Sequence, residues 1–253
     1  MRIIISPAKK MNADHDSLPP REAPRFLERT QILLDWLRGL DLEALRRLLA
    51  CNGDIARLNY GRFRDMDLRR GSTPALLAYE GIQYRYMAPN VFTAGELAYV
   101  QEHLRILSGF YGLLRPFDAV VPYRLEMQAK LKTPFCASLY DFWGDSLAGA
   151  LAAEDGVVLN LASEEYARAV RPHLPGGVRL ITPVFGEEAG DRVVEKGVYV
   201  KMARGEMVRY LAGRGARGPE EAKGFNGLGY VFRPELSGEE RYVFLREKPV
   251  GAV

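Results

Sequence analysis

Cysteine is nearly absent. Cys51 and Cys136 are the two in 253 residues, far apart and in no CxxC pair, which excludes a disulfide framework and thioredoxin-type redox chemistry. Both read as core thiols. Histidine is almost as scarce: His15, His103 and His173 stand singly, with no HxxxH or His/Cys cluster, so neither a metal site nor a stable metal partner is expected. No cofactor motif stands out either. The glycine framework GxxxxGK[ST] of a P-loop is missing, which argues against nucleotide hydrolysis of that type. No apolar run reaches the roughly eighteen residues of a membrane span, and the few apolar residues of MRIIISPAKK before Ser6 and Pro7 are too short for a signal-peptide core. The expectation is a cytoplasmic protein with no membrane partner. Blocks of like charge and low-complexity tracts are also lacking, so the chain is expected to fold throughout, apart from its ends and one loop.

What is present is a large apolar fraction, 47% of residues, enough to bury a substantial core. The net charge of +3 says little about partners. Its distribution says more. Residues 57–71 carry five arginines against two aspartates, and residues 199–218 carry five basic residues against one glutamate. Solvated surface charge and a phosphate-binding surface both fit this pattern.

The run Ile3-Ile4-Ile5 reads as a short buried strand ended by Ser6 and Pro7, followed by a polar, proline-rich loop to about Pro24. Residues 25–37 keep helical spacing up to Gly39, and Asp41 caps a second helix ending near Gly53. Thr93 and Glu96 form a capping box, and Leu97, Val100, Leu104 and Leu107 then share one face, which predicts a helix running to the Gly109-Phe110-Tyr111-Gly112 turn. Residues 157–161 read as a strand leading into a helix over 164–171 capped by Ser163. Residues 178–185 and 192–200 read as paired antiparallel strands, followed by a helix over 201–212 and strands near 230–232 and 242–246. Helices and strands mix without regular βαβ alternation. The fold class is therefore α+β, with a mixed sheet and several helices.

Several constellations carry possible chemistry. Lys9 and Lys10 follow the first strand, where sites tend to be built, and can neutralise phosphate. Helical spacing puts Arg204 at the border of an apolar stripe and Lys201 well off it; Arg204 either snorkels over the core or aims a fork at phosphate or carboxylate. Residues 122–127 and 139–145 combine aromatics with charge, so Tyr123 or Trp143 is either core or a stacking platform for an unpaired base, with Arg124 beside it. Glu126, Asp145 and Glu164 are candidate catalytic acids or bases. Residues 42–64 read as two helices around a Cys51-Asn52-Gly53-Asp54 turn, the second bearing Arg57 and Arg62, whose N-terminus can face phosphate. Packing a core explains such a pair equally well.

Taken in order, Ile4-Ser6-Pro7-Ala8-Lys9, Leu107–Pro116 (LSGFYGLLRP), Pro122–Met127 (PYRLEM), Tyr140–Asp145 (YDFWGD), Asn160–Ser163 (NLAS), Lys201-Ala203-Arg204-Gly205 and Gly224-Phe225-Asn226 resemble the YaaA family over nearly the whole chain. The resemblance implies one unusual α+β domain spanning residues 1–253. It also implies a peroxide-stress protein linked to lowered free iron, with DNA as partner and a helix-hairpin-helix element beside a basic cleft. The usual Pro-Gly-apolar-Gly hairpin is missing, which leaves the Gly53 turn and the Gly109–Gly112 turn as alternatives for it. On this reading the DNA-binding residues are Lys9, Lys10, Arg57, Arg62, Gly109, Gly112, Arg115, Tyr123, Arg124, Trp143, Lys201 and Arg204. The rival expectation is an enzyme acting on a nucleic-acid base or nucleotide, in the manner of a glycosylase.

Overall fold

The computed structural model describes residues 1–13, 18–190 and 192–247; His15 lies outside them. The strands are β1 (Arg2–Ile5), β2 (Lys10–Met11), β3 (Thr73–Pro74), β4 (Tyr79–Glu80), β5 (Leu104–Ser108), β6 (Gly112–Leu114), β7 (Ala119–Val120), β8 (Val157–Leu161), β9 (Arg179–Ala189), β10 (Arg192–Val194), β11 (Tyr230–Phe232) and β12 (Arg241–Arg246). The α-helices are α1 (Leu27–Arg38), α2 (Leu42–Leu49), α3 (Gly53–Asp65), α4 (Ala75–Ala78), α5 (Ile82–Met87), α6 (Ala94–His103), α7 (Leu139–Trp143), α8 (Ser146–Ala152), α9 (Glu164–Ala167) and α10 (Gly197–Arg214). The main sheet runs β11-β12-β9-β8-β1-β5-β6, with β10 paired to β9. The central strands β12, β9, β8, β1 and β5 are parallel, whereas β6, β10 and β11 add antiparallel pairs. This is the mixed-sheet α+β class.

Ile3, Ile4 and Ile5 are fully buried because β1 lies between β5 and β8 with both faces covered, the environment in which parallel strands read as continuous apolar runs. The same burial corrects the helix expected to run to Leu107. The Thr93–Glu96 capping box starts α6 as predicted, but the helix ends at His103 and the next five residues form β5, paired to β1 with Ile3 opposite Leu104 and Ile5 opposite Ile106. The apolar spacing of Leu104 and Leu107 suits a helix face, but burial on both sides and pairing with β1 decided otherwise. Two further boundaries shift. β10 stops at Val194 and α10 begins at Gly197, so residues 197–200 are helical. The helix after β8 ends at Ala167, and Ser163 makes no side-chain cap because Ser6 engages it.

The Gly109–Gly112 turn joins β5 to β6, two strands, and so is not the hairpin of a helix pair. Its glycines are required by the interior. A Cβ on Gly109 would collide with the Leu125 carbonyl, and one on Gly112, which has φ +76°, would collide with the Trp143 ring. Trp143 is fully buried and donates its Nε1–H to the Gly109 carbonyl at 3.0 Å. This corrects its reading as a stacking platform, since no face of the ring is open to a base. The three residues form one interior knot that fixes the 122–127 segment. The turn near Gly53 does join two helices, α2 and α3, through Ala50 in the left-handed region, with the Asn52 side chain accepting from Ile55 N at 3.0 Å.

At the amino ends of the central strands a separate ionic cluster closes the structure. The N-terminal ammonium meets Asp155 at 2.5 Å, and Arg2 and Arg105 converge on Glu154 at 3.1 and 2.7 Å. Nearby, Asp118 is buried with Oδ2 accepting from Arg115 N at 2.9 Å and Oδ1 unpaired, and burial pushes its carboxyl up to about 7. The folded state therefore keeps a proton that the unfolded chain releases near pH 4, and stability falls as pH rises between those values. Asp118→Asn is expected to leave stability little changed at pH 4 and to raise it by about 1–3 kcal/mol at pH 8. Thermal melting at the two pH values checks this; an equal change at both would contradict it.

Candidate functional site

In the sheet order, the connection from β1 leads to β5 on one side and that from β8 leads to β9 on the other. Chain paths thus diverge beyond the carboxyl ends of β1 and β8, the place where open parallel sheets characteristically leave a crevice. Ser6 ends β1 and Ser163 follows β8, and they lock the two ends together. Ser163 N donates to Ser6 Oγ at 2.8 Å, and Ser6 Oγ donates to Ser163 Oγ at 3.1 Å, so the Ser163 hydroxyl proton has no acceptor among the described residues. Over them lies a cavity of about 340 Å³ walled by residues 6–10, 80–84, 123–126, Ser163, Glu165, Tyr166, Lys201 and Arg204.

Each wall is held by packing. α10 crosses α5 so closely that a Cβ on Gly205 would overlap the Gln83 carbonyl oxygen, which brings Lys201 and Arg204, one turn apart, over the cavity. Gln83 is anchored by donating to Leu161 O at 3.3 Å. Below, Tyr123 is a buried wall whose hydroxyl meets Tyr79 at 2.8 Å and Ser108 at 2.5 Å, and Tyr84 donates to Ser6 O at 3.0 Å. Burial pushes the Tyr123 hydroxyl up to about 12 and raises those of Tyr79, Tyr84 and Tyr166 as well, so all stay protonated.

Charge in the cavity is unevenly paired. Lys9 Nζ and Arg124 Nη2 approach Glu126 Oε1 at 3.1 and 3.0 Å, yet neither has hydrogen-bond geometry, so that oxygen is ion-paired but not hydrogen-bonded. Lys10 pairs with Glu80 at 2.7 Å on the outer rim. Lys201 is exposed, and neither it nor Arg204 makes an ion pair among the described residues. Burial lowers the Arg204 pKa, which Glu195 partly offsets from beyond ion-pair distance; a guanidinium remains charged nonetheless. Among the described residues six buried side-chain polar atoms lack a hydrogen bond, and three of them, Arg124 Nε, Glu126 Oε1 and Arg204 Nε, belong to this one cavity. Buried polar groups ordinarily find partners, so this concentration singles out the cavity as the candidate site.

The structure thus gathers Lys9, Lys10, Tyr123, Arg124, Glu126, Lys201 and Arg204. It places the remaining sequence candidates elsewhere. Arg57 is exposed and tied to Asp54, and Arg62 donates to Met11 O at 3.3 Å outside the cavity. Arg115 pairs with Glu22 at 2.7 Å in the ionic cluster at the opposite end of the strands. Asp145 is an exposed residue at the start of α8, and Glu164 forms a bidentate pair with Arg171 at 2.8 and 2.9 Å. The neighbour of Glu164, Glu165, does line the cavity, together with Glu126 and Glu80, and accepts from Gln128 N at 3.2 Å; burial and then Glu126 raise its pKa. Ser6, Gln83 and Glu165 are the residues that sequence reasoning passed over. Position at the carboxyl end of a fully apolar strand was the available signal for Ser6. No metal-binding group of three or more His, Cys, Asp or Glu occurs among the described residues, and none of their helices is long and apolar enough to cross a membrane. Cys51 and Cys136 are free.

Fold and site together define an α+β protein with a cation-rich cavity at the divergence point of a mixed sheet. The chain belongs to the YaaA family of peroxide stress proteins, whose sequence profile matches residues 1–236. It is similar over nearly its whole length to UPF0246 proteins: 54% identical to one from Desulfitobacterium hafniense, covering 97% of this chain and 98% of that one. One from Pediococcus pentosaceus is 47% identical over 98% and 99% of the two chains, and one from Lactobacillus acidophilus 44% over 96% of each.

Proposed function

We propose that this peroxide stress protein binds DNA through its phosphates, with Lys201 and Arg204 as the principal contacts and Lys9 on the facing rim. The observation that carries this reading is the pair of cations on α10 without an ion-pair partner among the described residues, beside a cavity rich in unsatisfied polar atoms. At about 340 Å³ the cavity is of small-molecule size, so it takes one nucleotide unit while the duplex lies across the rim. The α2–α3 pair is a secondary contact at most, because Arg57 is held by Asp54 and Asn52 already caps α3. On this reading the lowered free iron implied by the family resemblance is indirect; titration with ferrous iron giving stoichiometric binding tighter than about micromolar would oppose it.

Each duplex phosphate contact adds about 0.9 to the slope of log affinity against log salt. Where each holds one duplex phosphate, replacing Lys201 and Arg204 together by alanine lowers that slope by roughly 1.8 on any sequence, whereas Arg57→Ala and Arg115→Ala leave it nearly unchanged. Fluorescence anisotropy with a labelled duplex over a salt series measures it. A folded double variant with the parental slope would reject the reading, and a loss of melting temperature alone would make Arg204 a packing residue.

A second reading, an enzyme acting on a nucleic-acid base or nucleotide, draws support from Glu165 and Glu126. Burial and the neighbouring Glu126 raise the Glu165 pKa, and Glu126 is paired with two cations, so the cavity holds two carboxyls in unlike surroundings. Incubation with duplex, bubbled and oxidised DNA separates the two: base release or strand cleavage abolished by Glu165→Gln favours the enzyme.

A further inference from the structure

We infer that the cavity is selective for a phosphomonoester, the terminal phosphate of a free nucleotide or of a 5′-phosphorylated strand end, over the internal diesters of a polynucleotide. The inference deepens the reading above and rests on its assignment of Lys201 and Arg204 as the phosphate site.

Charge balance carries it. Glu126 already has two cations on one oxygen, so Lys9 and Arg124 are partly neutralised by it, and Lys10 is paired with Glu80. What has no ion-pair partner among the described residues is Lys201 and Arg204, one turn apart, a charge of +2 that Glu195 offsets only from beyond ion-pair distance and that shares the cavity with Glu165. A diester offers one negative charge and leaves half of that uncompensated, whereas a monoester carries about −1.5 to −2 near neutral pH and three acceptor oxygens. Those oxygens match the donors present. Arg204 Nε has no hydrogen bond, the rest of its guanidinium forms a fork suited to two oxygens, and the Ser163 hydroxyl proton has no acceptor among the described residues. Geometry agrees. The cavity floor ends on the locked Ser6–Ser163 pair and on Tyr84 and Tyr123, so a strand entering from the rim finds no exit on the far side and can seat an end more readily than a continuous backbone. Beyond the cations the walls are Pro7, Ile82, Leu125 and Tyr166, with Gln83 held by its amide nitrogen and its carbonyl left to accept. Such a wall suits a planar ring bearing one hydrogen-bond donor.

The test titrates the full chain with inorganic phosphate, adenosine 5′-monophosphate and adenosine. In parallel it measures one short duplex carrying either 5′-phosphate or 5′-hydroxyl ends. The monophosphate should bind at least about tenfold tighter than adenosine, the difference a charge-assisted pair supplies. Arg204→Gln and the exposed Lys201→Ala should each erase most of that preference. A matching preference for phosphorylated ends identifies strand ends as a source; equal binding of the two duplexes with retained monophosphate binding identifies free nucleotides. Monophosphate binding without duplex binding would overturn the polynucleotide reading and leave this one standing. Duplex binding indifferent to end phosphate, together with no discrimination between monophosphate and adenosine, would overturn this one alone. Should Arg204→Gln fail to fold, Lys201→Ala decides, since its side chain is exposed.

Discussion

Trp143→Ala is expected to cost about 3–5 kcal/mol of stability, the range for removing a large buried aromatic, and to leave base-dependent binding untouched. The ring is fully buried, with Phe26 and Phe142 at centroid distances of 5.7 and 5.0 Å and the Arg29 guanidinium over it at 5.2 Å. Its Nε1–H satisfies the Gly109 carbonyl, which would be orphaned by truncation. For a chain of this size the melting temperature should fall by roughly ten degrees. The ratio of affinities for bubbled and intact duplex, measured well below the transition, should stay that of the parent. A selective loss on bubbled DNA with the fold intact would restore the stacking role that the burial of Trp143 denies it. Because Gly109 also abuts the Leu125 carbonyl, damage to this knot should reach Arg124 and Glu126, so any binding loss is expected to accompany partial unfolding and not precede it.

How much of this was legible in the sequence follows a physical divide. Features decided within a few residues were readable: the Asp41 side chain accepts from Ala44 N, Thr93 and Glu96 close their box, and the three isoleucines of β1 are buried. Features decided by what packs above were not. Leu104–Ser108 has apolar spacing that fits a helix, and only pairing with β1 makes it a strand. Glu164 and Glu165 are adjacent and chemically alike, and no local rule says which one faces the cavity; the register of β8 against β1 settles it, with Leu161 opposite Ile5. The aromatic and glycine motifs around 109–112 and 140–145 were conspicuous, but their distinctiveness came from a tight interior. The helical reading of residues 201–212 did place Arg204 at the edge of the buried stripe and Lys201 outside it. That relation depends on one helix alone and so survived into the structure.

Glu126→Gln separates the cavity's architecture from its proposed chemistry, because the two respond in opposite directions. The carboxylate and Arg124 are both mostly shielded from water, with side-chain exposures of 15% and 13%. Neutralising Glu126 leaves Arg124 a desolvated cation without its counter-ion. Breaking a fully buried pair costs about 3–5 kcal/mol, and partial solvation together with the exposed, mobile Lys9 should reduce this to about 2 kcal/mol here. Melting temperature therefore falls. The cavity that Arg204 also lines, however, becomes more positive by one charge, and that favours an incoming phosphate. Affinity for duplex DNA and for a nucleotide monophosphate should accordingly rise in the folded variant, and rise most at low salt, where screening is weakest. Thermal melting and anion titration on the same preparation give both signs. A variant that loses stability and anion affinity together would show that Glu126 acts by shaping the wall, and that the cations around it do not form a phosphate site.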